Sequence, residues 1–292
     1  MTQIAPRDLL LLLGITIIWG LNLVISKFGV EEIPPVLFTT MRFALLAAVL
    51  TPFLRVFRGQ MGALIVAALL SGAICFGLMF AGLAIAQNVS SVAIAGQLGV
   101  PFTTLLSVAL LGEVVHWRRW TGITLSFLGI MVMGFDPQVL QYWQSLALVI
   151  ASAFVGALGL IAVKKLRGIG PLQMQAWLAW VSVPPLIAVT LALEQPSLAQ
   201  LAEVTMVGWG AVAYSALAGS LIGHTGFYYL LQRYPVTSVA PLTVLSPVLS
   251  VVFGVWLLGD VLTLRIGIGG LLTLSGVVII TWRERRITDT GS

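Results

Sequence analysis

Three polar side chains lie deep within long apolar stretches of the sequence, where they could bind a small solute. They are Asn22, Gln97 and His224, and each is separated from the nearest charged residue by more than one helical turn. Polar groups inside apolar stretches are costly and are functional candidates by default. They could meet the two charged ends of a zwitterion. The alternatives are hydrogen bonds between packed helices for the two amides and an ordinary packed histidine for His224.

Apolar and aromatic residues in neighbouring stretches could form the wall of such a site. Phe76 and Phe80 are four residues apart, so they share one face of a helix. Burying an apolar group gains about 25 cal/mol per Å², so this wall favours an apolar or aromatic ligand. The alternative is that the rings only pack helix against helix. The predicted lining residues are Trp19, Phe76, Met79, Phe80, Phe154, Phe227 and Tyr228.

Arg42 lies inside an apolar stretch, about three helical turns from its end. Its guanidinium could extend towards the surface or hold backbone carbonyls at a broken helix. We predict a structural role for this charge.

Pro101 and Pro247 both lie in the middle of an apolar stretch. An interior proline removes one backbone hydrogen bond and kinks the helix. The freed backbone groups are tolerated at membrane depth where they line a cavity. We predict that these prolines are hinges in two mobile walls; passive kinks that only shape packing are the alternative.

Several kinds of chemistry have no residues to support them. The sequence has no Walker A loop and no His-Glu-x-x-His zinc motif. No Asp or Glu lies in the interior of an apolar stretch, which disfavours a carboxylate proton relay and an aspartyl protease. A membrane enzyme would need a buried nucleophile beside a base, and His224 is the one candidate base. We therefore expect no catalytic residue, no cofactor and no metal.

The composition indicates a polytopic membrane protein. Of the 292 residues, 59% are hydrophobic and 9% are charged, whereas soluble domains carry about 25% charged residues. A membrane helix needs about 20 apolar residues, and the chain divides into ten such spans. They cover residues 9–28, 34–54, 61–85, 89–111, 118–135, 143–163, 171–193, 205–231, 236–258 and 265–282.

The basic residues are distributed unevenly between the two sides of these spans. Twelve Lys and Arg fall on the side of the N-terminus and two, Lys27 and Arg265, fall on the other. Cytoplasmic loops are enriched in such residues, so both termini are predicted to be cytoplasmic. The net charge of +5 is therefore assigned to loops at a lipid bilayer, and no nucleic-acid partner is expected.

One segment of the sequence is written twice. LLGEVVHWRRWTGITLSFLGIMV at 110–132 matches LLGDVLTLRIGIGGLLTLSGVVI at 257–279, with an offset of 147. Earlier in the chain the offset is 137, which pairs Lys27 with Lys164. The two repeats, 1–137 and 138–292, have five spans each, so the second enters the membrane inverted. Inverted repeats with a midplane site are typical of transporters; a duplicated channel or membrane enzyme is the alternative.

Several motifs resemble the drug/metabolite transporter superfamily, EamA branch. They are Trp-Gly-Leu-Asn at 19–22, Met-Arg-Phe at 41–43 and the Leu-Leu-Gly-Glu/Asp endings of spans four and nine. Within that branch the chain is most similar to bacterial aromatic amino-acid exporters of the YddG type. The resemblance implies a cavity walled by spans one, three, four, six, eight and nine. Ala179 occupies the position that matches Arg42, so the arginine acts in one repeat only.

We therefore predict an all-α polytopic membrane protein with ten transmembrane helices in two inverted five-helix repeats, located in the bacterial inner membrane. Its predicted function is export of small organic solutes by alternating access, with amino acids, preferably neutral or aromatic, as substrates. Export of another small metabolite or a drug is the alternative, and a membrane-embedded enzyme or passive channel is a more distant one. The sequence assigns no oligomeric state.

Overall fold

The computed structural model describes residues 5–112, 114–234, 239 and 242–282, and these residues are almost entirely helical without a strand. Ten helices, α1 to α10, correspond in order to the ten predicted spans. Their bounds are α1 Pro6–Glu32, α2 Pro35–Leu50, α3 Met61–Ile85, α4 Val89–Leu111, α5 Trp117–Gly134, α6 Trp143–Lys164, α7 Pro171–Glu194, α8 Met206–Arg233, α9 Leu245–Leu258 and α10 Leu264–Trp282. Two short helices, Pro137–Gln141 and Leu198–Glu203, lie in connections.

Eight of the described helices are long and apolar enough to cross a membrane. The other two are α5 and α9. Helix α5 has Arg118 and Arg119 in its first turn, which lowers its mean hydropathy. Helix α9 is a shorter apolar helix. The first part of predicted span nine, 236–244, precedes it, and most of that part lies outside the described residues. The predicted all-α membrane fold is therefore confirmed, with ten as an approximate count.

Helices α5 and α10 pack against each other along their length and reveal how the repeats are related. A Cβ atom on Gly122 would lie 2.8 Å from the Gly276 carbonyl oxygen, and one on Gly129 would lie 2.5 Å from that of Gly269. The helices are therefore antiparallel, with the glycines allowing close approach. Gly122 and Gly129 are the repeat equivalents of Gly269 and Gly276. The second half is therefore oriented upside down relative to the first.

The symmetry axis passes between Ser126 and Thr273, which are equivalent residues 147 positions apart. The Ser126 hydroxyl donates to the Thr273 carbonyl at 3.3 Å, and the Thr273 hydroxyl donates to the Ser126 carbonyl at 3.3 Å. Reciprocal contacts between equivalent residues are the signature of a two-fold axis. The axis lies across the helices, as the inverted repeat predicts.

The duplicated Leu-Leu-Gly segments end α4 and α9 in the same way. Gly112 and Gly259 follow the two helices with φ of 68° and 71°. This left-handed conformation costs glycine little because it has no Cβ, and it ends the helix. The two glycines are retained at equivalent positions because the same turn is made twice.

Predicted spans four and nine are also interrupted at equivalent positions. Helix α4 consists of Val89–Gly96 and Gly99–Leu111, separated by a turn at Gln97 and Leu98. Pro101 has no N–H to donate to the Gln97 carbonyl, which instead accepts from Val100 at 3.1 Å. In predicted span nine a turn at Val244 lies between the helical residues 242–243 and the start of α9, and it precedes Pro247 by three residues. Both predicted spans are therefore broken near their middle, and the action of the two prolines as hinges remains a prediction.

Candidate functional site

Helix α8 contains a widened, π-helical segment, Tyr214–His224, and Trp19 of α1 packs on it. The indole Nε1 of Trp19 donates to the Gly219 carbonyl oxygen at 3.1 Å. The Trp19 ring centroid also lies 5.3 Å from that of His224 and 5.4 Å from that of Phe227. The structure thus brings three of the predicted site residues into one group. π-helical turns are frequent at functional sites, and shorter ones also occur in α3, α7 and α9, at Leu70–Ile74, Thr190–Glu194 and Gly254–Leu258.

Asn22 lies beside Trp19, one helical turn further along α1, and packs on the same glycine. A Cβ atom on Gly219 would lie 2.7 Å from Asn22 Oδ1, so the glycine is what allows the amide to approach. Asn22 Oδ1 is buried and has no hydrogen-bond partner among the described residues. An unpaired buried acceptor is costly, which makes this oxygen available to a donor from outside the protein.

Arg42 of α2 contacts the same segment of α8, at the residue that follows Gly219. Its Nη2 donates to the Ser220 hydroxyl at 2.6 Å. The guanidinium carbon lies 4.1 Å from the ring centroid of Phe76 and 5.3 Å from those of Phe43 and Phe80. Cation–π contacts of this kind partly replace water around the charge.

The phenylalanine rings around Arg42 also contact one another. Phe76 and Phe80 stack with centroids 6.0 Å apart, in agreement with their predicted common face. Phe38 meets Phe80 edge-on at 5.1 Å, and Phe43 meets Phe76 at 5.6 Å. The rings therefore enclose the guanidinium, and Arg42 is 1% exposed.

Gly219 and Ser220 join the two groups, because Trp19 and Asn22 contact the first and Arg42 contacts the second. We refer to the joined set as the central cluster. It combines helices from both repeats with aromatic rings and a few polar atoms. Its members are Trp19, Asn22, Arg42, Phe76, Phe80, Gly219, Ser220, His224 and Phe227.

Four other predicted site residues lie elsewhere or are not described. Phe154 is 40% exposed, and its ring contacts Phe102 of α4 at 5.3 Å. Gln97 lies at the break in α4, and the Met79 methyl group approaches Gly96 beside it. The Tyr228 side chain lies outside the part that the structure describes. The central cluster therefore contains seven of the residues named from the sequence, including Arg42.

Three hydroxyl residues of α8 were not predicted from the sequence as site residues. They are Ser220, Ser215 and Thr225. Ser215 Oγ and Thr225 Oγ1 are buried without a partner among the described residues. Ser220 Oγ donates to the Ser215 carbonyl oxygen at 3.2 Å while it accepts from Arg42. Small hydroxyl residues in a membrane helix are commonly attributed to packing, and the available signal was their concentration in one span.

One end of the bundle is closed by charged groups, and we call it the Lys27 end. Lys27 Nζ donates to the carbonyls of Leu83, Ala84 and Ala86, at 3.3, 3.1 and 2.8 Å. These carbonyls end α3, where a cation is favoured by the helix dipole. The contact ties α1 to α3 at this end.

Asp260 closes the same end across the two repeats. It follows α9 and accepts from the backbone N–H groups of Val89 and Ser90 at 3.3 and 2.7 Å, and from the Ser90 hydroxyl at 2.7 Å. These groups begin α4, and a carboxylate at a helix N-terminus is a favourable cap. Asp260 thereby holds the start of α4 against the end of α9.

A separate cleft lies between α3, α4 and α6. Its volume is about 340 Å³, and its wall is largely apolar with Lys165 at one position. It contains none of the predicted site residues. Arg42 and Phe80 of the central cluster are buried, whereas its members Trp19, Asn22, Phe76, His224 and Phe227 are half-buried.

Helical membrane bundles with inverted repeats and a polar centre between them define a class, the secondary transporters. The model of the EamA-like transporter family matches residues 7–135 and again residues 143–282. The chain therefore belongs to the EamA-like transporter family, which is a family of transporters rather than enzymes. The match occurs twice because the family unit is one five-helix repeat.

Similar proteins extend over nearly the whole chain. A protein of Escherichia coli K12 named "Probable amino-acid metabolite efflux pump" is 26% identical. The match covers 98% of this chain and 99% of that protein. A protein of Salmonella typhimurium with the same name is 26% identical over 94% of each chain. The Escherichia coli "Uncharacterized inner membrane transporter YedA" is 27% identical over 88% of this chain and 86% of its own.

The fold also matches a solved crystal structure. That chain is 19% identical and superposes with a TM-score of 0.62 over 96% of this chain and 98% of its own. At this identity the likeness concerns the fold alone.

Proposed function

We propose that this protein exports small organic solutes from the cell, namely amino acids with a preference for neutral and aromatic ones. The observation that carries the proposal is the central cluster, where Trp19, Phe76 and Phe80 surround a few polar atoms between the repeats. Aromatic walls stabilise an apolar side chain by burial. The polar atoms accommodate the charged backbone groups of the same substrate.

The names of the relatives support the direction and substrate class. Two are named for efflux of amino-acid metabolites and one for the inner membrane. We infer that this protein lies in the bacterial inner membrane and moves its substrate outwards. The closer similarity to YddG-type exporters remains a prediction.

Alternating access is the proposed mechanism. The two inverted repeats would exchange conformations, so that the central cluster opens first to one side and then to the other. The breaks in predicted spans four and nine supply candidate flexible points. The closed Lys27 end supports a conformation that opens at the opposite end.

The proposed orientation places both termini in the cytoplasm, and cysteine labelling tests it. In a Cys75→Ala background, we expect an impermeant reagent to label Ser197→Cys in intact cells but not Arg167→Cys. Both positions are exposed, so the two introduced cysteines should react equally well where the reagent reaches them. Labelling of Arg167→Cys instead would reverse the orientation.

Competition in proteoliposomes tests the substrate preference. We expect phenylalanine to displace a labelled neutral amino acid better than aspartate or lysine does. Trp19→Ala and Phe80→Ala proteins should lose much of this preference, whereas Phe127→Leu, a change at a ring outside the central cluster, should keep it. Equal competition by aspartate, or wild-type selectivity in both alanine variants, would contradict the aromatic site.

A further inference from the structure

We propose that Arg42 binds the carboxylate of the transported amino acid while Asn22 Oδ1 accepts a hydrogen bond from its ammonium group. This inference rests on the proposed function, because it names the recognition chemistry of the same site. It assigns a substrate contact to Arg42 in place of the structural role predicted from the sequence.

The first reason is that the described residues supply no counter-ion for Arg42. Its side chain is 1% exposed, and within the described residues no Asp or Glu lies within salt-bridge distance of it. A buried charge at membrane depth is costly unless it is paired. The protein therefore keeps a cation at its centre that an anionic ligand can neutralise.

The second reason is the hydrogen-bonding capacity of the guanidinium. Nη2 donates to Ser220, but Nε and Nη1 are buried and have no partner among the described residues. A guanidinium presents its N–H groups as a planar fork that matches a carboxylate in two hydrogen bonds. In a purely structural arginine we would expect the protein to satisfy these donors, whereas the described residues leave Nε and Nη1 of Arg42 unsatisfied.

The third reason is the arrangement around Gly219 and Ser220. Asn22 Oδ1, an acceptor with no partner in the described part of the chain, packs on Gly219, and Arg42 contacts the next residue, Ser220. An amino acid carries its ammonium donor and its carboxylate acceptor on the same carbon atom, and so it complements this pair. Its side chain would then meet the rings of Trp19, Phe76 or Phe80.

The position of Arg42 also agrees with a ligand role. Its repeat equivalent is Ala179, which is fully buried. A substrate has one carboxylate, so one arginine suffices for it, whereas a residue that serves the symmetry of the fold would be expected in both repeats. In the conformation described here the phenylalanine rings cover the guanidinium, and the opening step of alternating access would uncover it.

Counterflow of labelled phenylalanine in proteoliposomes tests the proposal with three competitors. They are phenylalanine, phenylalaninamide, which lacks the carboxylate, and 3-phenylpropionate, which lacks the ammonium group. For the wild type we expect phenylalanine to compete roughly 10- to 100-fold better than the amide, since a hydrogen bond to a charged group is lost with the carboxylate. Phenylpropionate should compete at an intermediate level.

Arg42→Gln should reduce the preference for phenylalanine over its amide to near unity. Thr39→Ala is the matched control, because Thr39 lies on the same helix and is fully buried, and its hydroxyl donates to the Pro35 carbonyl oxygen of its own helix. It should keep the wild-type preference. If Arg42→Gln fails to fold, as judged by size exclusion and thermal melting, Arg42→Lys decides: it keeps the charge but not the fork, so its preference should fall at least roughly threefold.

The outcomes separate the two proposals. If no amino acid drives counterflow in the wild type, the proposed function fails and the role of Arg42 fails with it. If phenylalanine is transported but the amide competes equally, or a folded Arg42 variant keeps the wild-type preference, the role of Arg42 alone is overturned.

Discussion

The two repeats place a pair of equivalent lysines in different surroundings. Lys27 is buried and donates to three carbonyls at the end of α3. Its equivalent, Lys164, is exposed and contacts the Ser107 hydroxyl of α4 at 3.4 Å. We infer that the difference is one of conformation, because the contacts of Lys27 are to backbone carbonyls, which both repeats possess. Exchanging the conformations of the repeats would place Lys164 against the end of α8 and release Lys27.

Arg42 and Ala179 are also equivalent positions, but here the two repeats differ in the residue type itself. No exchange of conformation can give the second repeat a guanidinium. The comparison therefore separates two kinds of asymmetry. The lysines report which end of the molecule is closed, whereas Arg42 bears on the proposed binding of the substrate carboxylate.

Replacing the buried lysine should have the largest effect on stability. Lys27→Met leaves three carbonyls at the end of α3 without their donor, and we expect a loss of roughly 3 kcal/mol in the free energy of unfolding. The matched change, Lys164→Met, removes an exposed charge and should cost less than about 1 kcal/mol. Unfolding of the two proteins in the same detergent compares them, and equal losses would contradict the assigned asymmetry.

At the symmetry axis, by contrast, equivalent residues should behave alike. Gly122→Ala and Gly269→Ala would each place a Cβ within 2.8 Å of a backbone carbonyl oxygen of the facing helix. We expect each to cost roughly 2 kcal/mol through overpacking. Gly267→Ala is the control, since a Cβ there meets nothing within 4 Å. Markedly unequal losses at Gly122 and Gly269 would break the two-fold relation.

Asp260 should hold the Lys27 end closed. Asp260→Asn weakens a charged cap on α4 and should cost about 1 kcal/mol. We expect the Lys27 end to open more often, which labelling of Ala93→Cys in a Cys75→Ala background would report. Ala93 is 2% exposed and lies about one turn inside α4, so its labelling rate should rise severalfold. An unchanged rate would mean that Asp260 only caps the helix.

The smallest effect is expected at the helix breaks. Pro101→Ala and Pro247→Ala would each restore one backbone donor and favour a straighter helix. Since one hydrogen bond contributes about 1 kcal/mol, each change should slow transport about fivefold at unchanged protein amount. Uptake by equal quantities of reconstituted protein measures this. Wild-type rates in both variants would reduce the prolines to packing features.

Much of the fold follows from the sequence because membrane helices have a strong signal. Length and hydropathy predict the spans. The segment that occurs twice in the sequence predicts the inverted repeats and the helix ends at Gly112 and Gly259. The pairing of the glycines of α5 with those of α10 across the axis does not follow. It depends on which helices meet, and the spacing of Gly122 and Gly129 within one helix carries no information about the partner.

The site is less accessible to sequence reasoning. The short list of polar and aromatic residues includes most of the central cluster, because polar residues in spans are few. Phe154 could not be separated from Phe76 and Phe80, since an aromatic residue has the same pattern in any interface. Nor could the surroundings of Arg42 be predicted, because they depend on Ser220 of a helix more than 170 residues away.

Counterflow in proteoliposomes tests the central claim, that this protein is an amino-acid transporter working by alternating access. Liposomes loaded with unlabelled phenylalanine should accumulate labelled phenylalanine transiently above its external concentration, with saturation and with no unitary current. Carriers exchange solute in this way because one site faces each side in turn. Flux that rises linearly without saturation, discrete channel currents, or no accumulation of any amino acid would contradict the account.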